Sequence, residues 1–209
     1  MHVGSNRAKE IDSASIAEIE NQGKAVTRVF LLSPAHSGGK RAAMLVRPEA
    51  SFELARQVQI GAATLGDVYC FCSGLYFRGK LAYASCFAAP PAGVMGVQII
   101  TPSRGLVSPD CLIGPKDLDE FARVPIGAKE SRFTGPLRTT AEKLAQLGDF
   151  EVVFLGSIAT GKYLETLVPI FGKRILYPLD FIGRGDMSRG SILLRSVTNR
   201  AELAYTAVL

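Results

Sequence analysis

Short apolar runs that stop at polar, glycine-bearing loops recur along the chain. Residues 26–32 (VTRVFLL) stop at SPAHSGGK, residues 97–101 (VQIIT) at PSRGLVSPD, and residues 151–155 (EVVFL) at GSIATGK. Their length and β-branched content predict buried strands, each followed by a loop at its carboxyl end. Two further strands are predicted at residues 68–72, where Cys70 and Cys72 would pack in the interior, and at residues 175–177.

Longer stretches with apolar residues at helical spacing lie between these runs. Residues 51–65, 137–147 and 163–171 show this spacing and predict helices. The stretch from residue 109 to 136 is rich in proline and loop-forming residues, and residues 118–122 predict one short helix within it.

Residues 75–88 allow two interpretations. One is a hairpin that turns at residues 78–80, and the other is a helix that ends before Pro90. Tyr76, Lys80, Tyr83 and Phe87 recur at intervals of four, three and four residues, and the stretch ends rich in alanine. Both features favour the helix.

The alternation of strands and helices predicts the fold class. We expect a three-layer α/β fold with a mostly parallel sheet, in which ligands collect at the carboxyl ends of the strands. Residues 191–208 are predicted to form two strands around residues 198–200, as an antiparallel hairpin at the C-terminal edge of the sheet. Residues 25–209 would form a single domain, and the polar residues 1–24 a weakly ordered arm.

Composition and charge limit the kinds of partner that the chain is expected to bind. The 209 residues carry a net charge of +5, and the basic excess is spread evenly along the chain. An even spread forms no stripe for duplex DNA and no basic tail for a membrane, so a small anionic or nucleotide-like ligand fits better. Nucleic acid remains the alternative ligand. The exposed edge of the C-terminal hairpin would allow a homodimer.

The spacing of the cysteines and the number of histidines indicate whether the chain binds a metal ion, and hydropathy indicates where in the cell it is located. The four cysteines lack the spacing of a zinc knuckle or a redox pair, and His2 and His36 are the two histidines in the sequence. We therefore predict neither a metal site nor a cofactor. No apolar run is long enough for a membrane span, and the expected location is the cytoplasm.

The loop from Gly156 to Tyr163 contains the pattern Gly-x4-Gly-Lys between a predicted strand and a predicted helix, as a phosphate-binding loop does. Tyr163 stands where a magnesium-binding Ser or Thr would be, which argues against a nucleotide hydrolase. Gly156, Gly161 and Lys162 are instead predicted to bind an anion at the start of the helix. A tight strand-to-helix connection is the alternative.

The loop at residues 33–41 (SPAHSGGKR) offers Ser33 and Lys40 as ligand-binding residues. Its small residues allow close backbone approach, and Lys40 would neutralise a phosphate or carboxylate group. His36 is predicted to act as a general acid or base. A solvated turn without chemistry is the alternative.

The loop at residues 181–190 (FIGRGDMSRG) places Arg184 and Arg189 on either side of Asp186. The two arginines would bind an anion, while Asp186 would orient a hydroxyl group or activate water as a catalytic residue. An internal Arg-Asp ion pair that shapes the loop is the alternative. Arg104, in the loop after residues 97–101, is a further ligand-binding candidate.

Several segments carry a resemblance to a known group of proteins. These segments are VFLLSPAHSGGK, SGLYFRGKLAYA, ITPSRGLVSPD, VVFLGSIATGKYLETLVP and YPLDFIGRGDMSRG, and together they span residues 27–190. The chain resembles bacterial domains related to YaaA-like peroxide-stress proteins and to domains that accompany deazaguanine transglycosylases in DNA modification. The resemblance implies a uracil-glycosylase-like α/β architecture and work on nucleobases, nucleosides or nucleic acid, but it assigns no catalytic residue.

The function predicted from the sequence is that of an enzyme acting on a nucleoside, nucleotide or modified nucleobase. Cleavage or exchange of an N-glycosidic bond is the expected reaction. Asp186 would orient water or a ribose hydroxyl, His36 would assist proton transfer, and Arg184, Arg189 and Lys162 would hold the anion. The alternative is a binding module for a nucleotide or nucleic acid that performs no chemistry.

Overall fold

The computed structural model describes residues 26–208, which contain two sheets surrounded by helices. The strands are β1 (Arg28–Leu32), β2 (Ala63–Thr64), β3 (Val97–Thr101), β4 (Gly105–Val107), β5 (Leu112–Ile113), β6 (Glu151–Leu155), β7 (Ile175–Pro178) and β8 (Tyr205–Ala207). The α-helices are α1 (Lys40–Leu45), α2 (Glu53–Gln59), α3 (Leu65–Ser73), α4 (Leu75–Phe87), α5 (Pro115–Ala122), α6 (Ser131–Ala145), α7 (Leu164–Phe171) and α8 (Asp186–Asn199).

The main sheet has the strand order β4-β3-β1-β6-β7-β8. Its four inner strands are parallel, and β4 and β8 pair antiparallel at the two edges. β1 lies between β3 and β6, so that Phe30 faces Val97 on one side and Val153 on the other. Inner strands buried on both faces explain the continuous apolar runs in the sequence. The expected mostly parallel α/β fold with an antiparallel C-terminal edge is confirmed.

The order of the strands creates a crevice at one end of the sheet. The chain passes from β1 to β3 on one side of β1 and then returns to β6 on its other side. The loops that follow β1 and β6 therefore diverge to opposite faces, and open α/β sheets bind ligands at such a switch point. The carboxyl ends of β1 and β6 are the place where this fold leaves room for a ligand.

Helices cover both faces of the sheet. Leu31 of β1 and Phe154 of β6 are paired in register and share one face, whereas Phe30 points to the other. The Phe30 ring meets Tyr83 of α4, while the Phe154 ring meets Tyr163 directly before α7. The α4 layer and the α7 layer thus lie on opposite faces, which gives three layers in all.

Most of the predicted elements are confirmed. The strands at residues 26–32, 97–101, 151–155 and 175–177 correspond to β1, β3, β6 and β7. Residues 75–88 form the helix α4 and no hairpin. The helices predicted at residues 118–122, 137–147 and 163–171 are α5, α6 and α7, although α6 begins earlier and contains Pro136.

The strand predicted at residues 68–72 is wrong, because these residues belong to helix α3. Thr64 caps this helix, with its Oγ1 accepting a hydrogen bond of 3.1 Å from the backbone N–H of Asp67. The buried side chains Leu65, Val68 and Tyr69 recur at helical spacing. Cys70 and Cys72 pack on the core from this helix, and burial raises the pKa of both thiols to about 11.

Two other boundaries differ from the prediction. Residues 191–199 form the end of α8, whose buried residues Ile192, Leu193 and Ser196 follow helical spacing, so the first strand of the predicted hairpin is wrong. The antiparallel edge consists of β8 paired with β7. The helix expected at residues 51–65 ends at Gln59. The arm predicted at residues 1–24 lies outside the described residues.

Within residues 26–208 no helix combines the length and the apolar character needed to cross a membrane.

We expect Gly79→Ala to lower the free energy of unfolding by about 1–3 kcal/mol, because overpacking outweighs the gain in helix propensity. Gly79 of α4 packs against Gly190 of α8, and a Cβ atom at Gly79 would lie 2.8 Å from the Gly190 carbonyl oxygen. Urea unfolding measures the change. Gly127→Ala is the control, because a Cβ atom there meets nothing within 4 Å. Equal stability of the two variants would contradict the tight helix contact.

Candidate functional site

A cleft of about 310 Å³ lies at the carboxyl ends of β1 and β6, where the strand order predicts a ligand site. Its volume is at the lower end of the range for small-molecule sites. One wall is the loop after β1, and Pro102 after β3 adds to it. The opposite side comes from Lys162 and Tyr163 before α7 and from the end of α5 with the segment that follows it, namely Phe121, Ala122, Val124, Pro125 and Ile126.

His36 and Lys162, two of the predicted site residues, line this same cleft. The exposed imidazole of His36 lies over the glycine pair that follows it, because a Cβ atom built on Gly39 would be 3.2 Å from His36 Cδ2. The Lys162 Nζ lies 5.3 Å from the centre of the Tyr163 ring. The cleft therefore has one imidazole and one ammonium group on walls that are otherwise largely apolar.

Tyr163 anchors the Lys162 side of the cleft. Its ring packs between Phe154 of β6 and Phe133 of α6, with centroid distances of 5.3 and 5.9 Å. Burial raises the pKa of the Tyr163 hydroxyl above its ordinary value. At the position where a nucleotide hydrolase would have a magnesium ligand, this chain thus has a packing residue.

The β1 loop is held from below at both of its ends. At the start, the Lys80 Nζ donates hydrogen bonds of 2.5 Å to the Ser33 carbonyl oxygen and of 2.9 Å to Ser33 Oγ. Near the other end, the Ser37 hydroxyl donates a long hydrogen bond of 3.4 Å to the Tyr69 hydroxyl. Lys80 comes from α4 and Tyr69 from α3, so these two helices set the position of His36 in the cleft.

Lys80 is a functional candidate that the sequence-based site prediction missed. Its side chain is 1% exposed and lies between the rings of Tyr76 and Phe77, with Nζ 4.6 and 4.7 Å from the ring centres. Desolvation lowers the pKa of Lys80 to about 7, although the nearby charge of Asp186 opposes this shift. The signal was a lysine on the apolar face of a predicted helix, in line with Tyr83.

Asp186 lies near Lys80, Arg189 lies near Tyr76, and neither residue lines the cleft. Asp186 is the first residue of α8, and its side chain is 70% exposed. The Arg189 guanidinium donates two hydrogen bonds to the Phe181 carbonyl oxygen and lies 3.9 Å from the Asp186 carboxylate. The Arg-Asp ion pair, which was the alternative interpretation of this loop, is therefore present between Arg189 and Asp186, but it is long and its carboxylate is largely exposed.

Two buried hydroxyl groups surround Arg189 without a hydrogen-bond partner among the described residues. They belong to Tyr76 of α4 and Tyr177 of β7, and both rings pack edge-on against Phe181. Burial raises the pKa of Tyr76, and the charge of Arg189 opposes this shift. The region between α4, β7 and α8 thus holds a cluster of buried polar side chains, which the Tyr76 ring connects to Lys80.

The remaining predicted residues lie apart from the cleft. Arg184 lines a separate depression with Asp180 and Arg195, and Lys40 is exposed at the start of α1. Arg104 lies behind the cleft wall, 5.1 Å from the centre of the Phe121 ring.

Arg104 is fully engaged by carboxylates. It pairs with Asp117 at 2.6 Å and with both carboxylate oxygens of Glu120. This contact holds the pKa of Glu120 below its ordinary value. Arg104 therefore fixes α5 to the loop after β3, and through α5 it supports the Phe121 wall.

The two glycines of the Gly-x4-Gly-Lys loop have structural explanations. A Cβ atom on Gly156 would overlap the ring of Phe154, and Gly161 has a φ of 65°, which L-residues rarely adopt. A Cβ atom on Gly161 would also lie 3.0 Å from the Glu165 carboxylate. A carboxylate thus already faces the start of α7, which leaves Lys162 as the group of this loop that favours an anion.

A larger cleft of about 530 Å³ lies at the amino end of β3. Asp67 and Asp110 line it, and neither lysine nor arginine does. An anionic ligand would be repelled there, whereas the smaller cleft carries positive charge. Arginines line two other depressions, Arg41 and Arg78 one of about 650 Å³ and Arg184 and Arg195 a smaller one, so the strand topology is what selects the cleft between β1 and β6.

Among residues 26–208 no group of three or more His, Cys, Asp or Glu side chains is arranged to hold a metal ion. Comparison of the chain with protein-family models, with curated proteins and with solved structures finds no match.

We expect Lys80→Met to change how stability depends on pH. Since the pKa of Lys80 is about 7 in the folded chain, against 10.5 ordinarily, the unfolded chain holds more protons than the folded chain between these values. The cost of burying the charge is complete below about pH 7 and is relieved as the pH rises. The unfolding free energy of the wild type relative to Lys80→Met should therefore rise by about 2 kcal/mol between about pH 7 and 9.

Urea unfolding of both proteins at several pH values measures this difference. Taking the difference removes the contribution of the cysteine and tyrosine side chains, which both proteins share. A difference that is independent of pH would show that Lys80 is not buried as a titrating amine.

Proposed function

We propose that the chain is an enzyme that binds a nucleoside, nucleotide or modified nucleobase in the cleft between β1 and β6 and acts on its N-glycosidic bond. The observation that carries this proposal is that His36 and Lys162 share one cleft. They come from loops after two adjacent parallel strands, at the switch point where such sheets bind nucleotides.

The walls of the cleft suit the parts of such a ligand. Phe121, Val124 and Ile126 offer apolar surface for a planar base, opposite the loop that carries His36. The Lys162 ammonium suits a phosphate group or a carboxylate. A nucleotide would thus have its base against the α5 side and its anionic end toward α7.

His36 is the titratable group that can perform the chemistry. In hydrolysis the bond between C1′ of the sugar and the base nitrogen breaks, and its electron pair leaves with the base. The imidazole would donate a proton to the departing base, and a water molecule would add its oxygen to C1′ and release a proton. Asp186 does not line the cleft, so its proposed part is electrostatic, through its proximity to Lys80.

One observation favours a binding module without chemistry as the second candidate. Neither Asp nor Glu is among the residues that line the cleft, whereas glycosidic hydrolysis commonly uses carboxylates to activate water and stabilise the transition state. A protein that only recognises a nucleotide needs the apolar wall and the ammonium group alone.

We expect Lys162→Met to weaken nucleotide binding about tenfold or more and to leave nucleoside binding unchanged, because a charge-assisted contact to phosphate is lost.

His36→Gln should retain binding and lower turnover by a factor of about 10²–10⁴, as expected for loss of a general acid. Binding is measured by calorimetry against nucleosides, nucleotides, free bases and short oligonucleotides, and turnover by chromatography of the released base.

Lys116→Met is the matched control, because Lys116 is exposed on α5 and does not line the cleft. Binding by the wild type without release of base would select the binding module. If no compound of the panel binds, or if Lys116→Met has the same effect as Lys162→Met, the assignment of the cleft is wrong.

A further inference from the structure

Ser33 is the first residue after β1, at the start of the loop that forms one wall of the cleft. Its side chain contacts α4. Both hydrogen bonds from Lys80 reach it from the α4 side, one at the carbonyl oxygen and one at Oγ. Its backbone N–H is bound to the Leu155 carbonyl oxygen of β6. The next residue, Pro34, lines the cleft.

The hydroxyl proton of Ser33 has no acceptor among residues 26–208. Because Oγ accepts a hydrogen bond from Lys80, its own proton must point away from the ammonium group. Ser33 is 7% exposed and does not itself line the cleft, but it directly precedes Pro34, which does. A hydroxyl that accepts from a cation is polarised and becomes a stronger donor.

We propose that Lys80 is a positioning residue that turns the Ser33 hydroxyl into a charge-supported donor for an anionic oxygen of the ligand. This inference rests on the proposed function and names the anion contact of the same cleft. The ligand would contact Ser33 and Lys162, while Lys80 stays beneath the loop and acts through Ser33. The recognised group is a phosphate or a carboxylate, whichever part of the ligand carries it.

A lysine suits this role better than a neutral donor. In the buried surroundings of Tyr76 and Phe77 the ammonium charge is poorly screened, so its effect on a nearby anion is large. Binding of an anion must in turn favour the charged form of Lys80, since coupling between two sites is reciprocal. Anion binding at neutral pH should therefore be accompanied by uptake of a proton.

Other charged and titratable groups near Lys80 have to be separated from it. Asp186 and Arg189 lie on α8, Cys70 on α3, Tyr76 on α4 and Tyr177 on β7. The carboxylate of Asp186 favours the ammonium form, and Cys70 would do so only as a thiolate. Burial raises the pKa of the thiol and of both tyrosines, which keeps these three groups protonated at neutral pH. The imidazole of His36 lies on the loop itself, so it needs its own variant.

The test is titration calorimetry with inorganic pyrophosphate at about pH 7.5, in two buffers of different ionisation enthalpy. We expect the wild type and His36→Gln to take up about half a proton on binding, because Lys80 is largely neutral before the anion arrives. Lys80→Met and Ser33→Ala should each bind pyrophosphate about tenfold or more weakly. Lys80→Met should take up about half a proton fewer than the wild type, because the ionisation of pyrophosphate itself contributes equally to both.

Thermal melting shows whether each variant is folded, and Lys116→Met is again the control that should match the wild type. The double variant with Lys80→Met and Ser33→Ala should bind pyrophosphate no more weakly than either single variant, since the two substitutions remove the same contact. Proton uptake in Lys80→Met equal to that of the wild type, or unchanged affinity in that variant, would overturn the inference. If nucleosides bind but pyrophosphate does not, the inference fails while the proposed function stands, and if neither binds, both fail.

Discussion

The contact between Lys80 and Ser33 fixes the point at which the central strand of the sheet becomes the wall of the cleft. β1 is paired on both sides along its length, so its position is set by the sheet, but hydrogen bonding to β6 ends at Ser33. Beyond that residue the loop depends on what lies beneath it. The ammonium group of Lys80 on α4 supplies that support, and it does so against the desolvation penalty of a buried charge.

The helices reach this contact through close packing of α4 on α8. Where Gly79 meets Gly190 the two backbones touch, and this brings the first turn of α8 near Lys80. Asp186 can then oppose the loss of charge on the lysine, although the two residues are far apart in the sequence. Lys80 therefore connects the β1 loop, through Ser33, to the buried polar side chains around Tyr76.

The fold was more predictable than the site, for a physical reason. β1, β3 and β6 are buried on both faces, so each appears as a short, mostly apolar run. The same kind of run in LGDVYCFCS forms a helix, and the Thr64 cap is the local signal that separates the two cases. The loops that carry His36 and Lys162 could be named because they follow strands. Lys80 was missed, because its place on the apolar face of α4 was the local signal for burial, whereas its contact with Ser33, 47 positions away, has no local pattern.

Both edges of the main sheet end in a strand of three residues, β4 on one side and β8 on the other. β8 is tied down by the Tyr205 hydroxyl, which lies 2.6 Å from the Tyr83 hydroxyl of α4. Short, anchored edges offer few free backbone groups for another chain to pair with. Short edge strands of this kind present little template for the growth of the main sheet into fibrils.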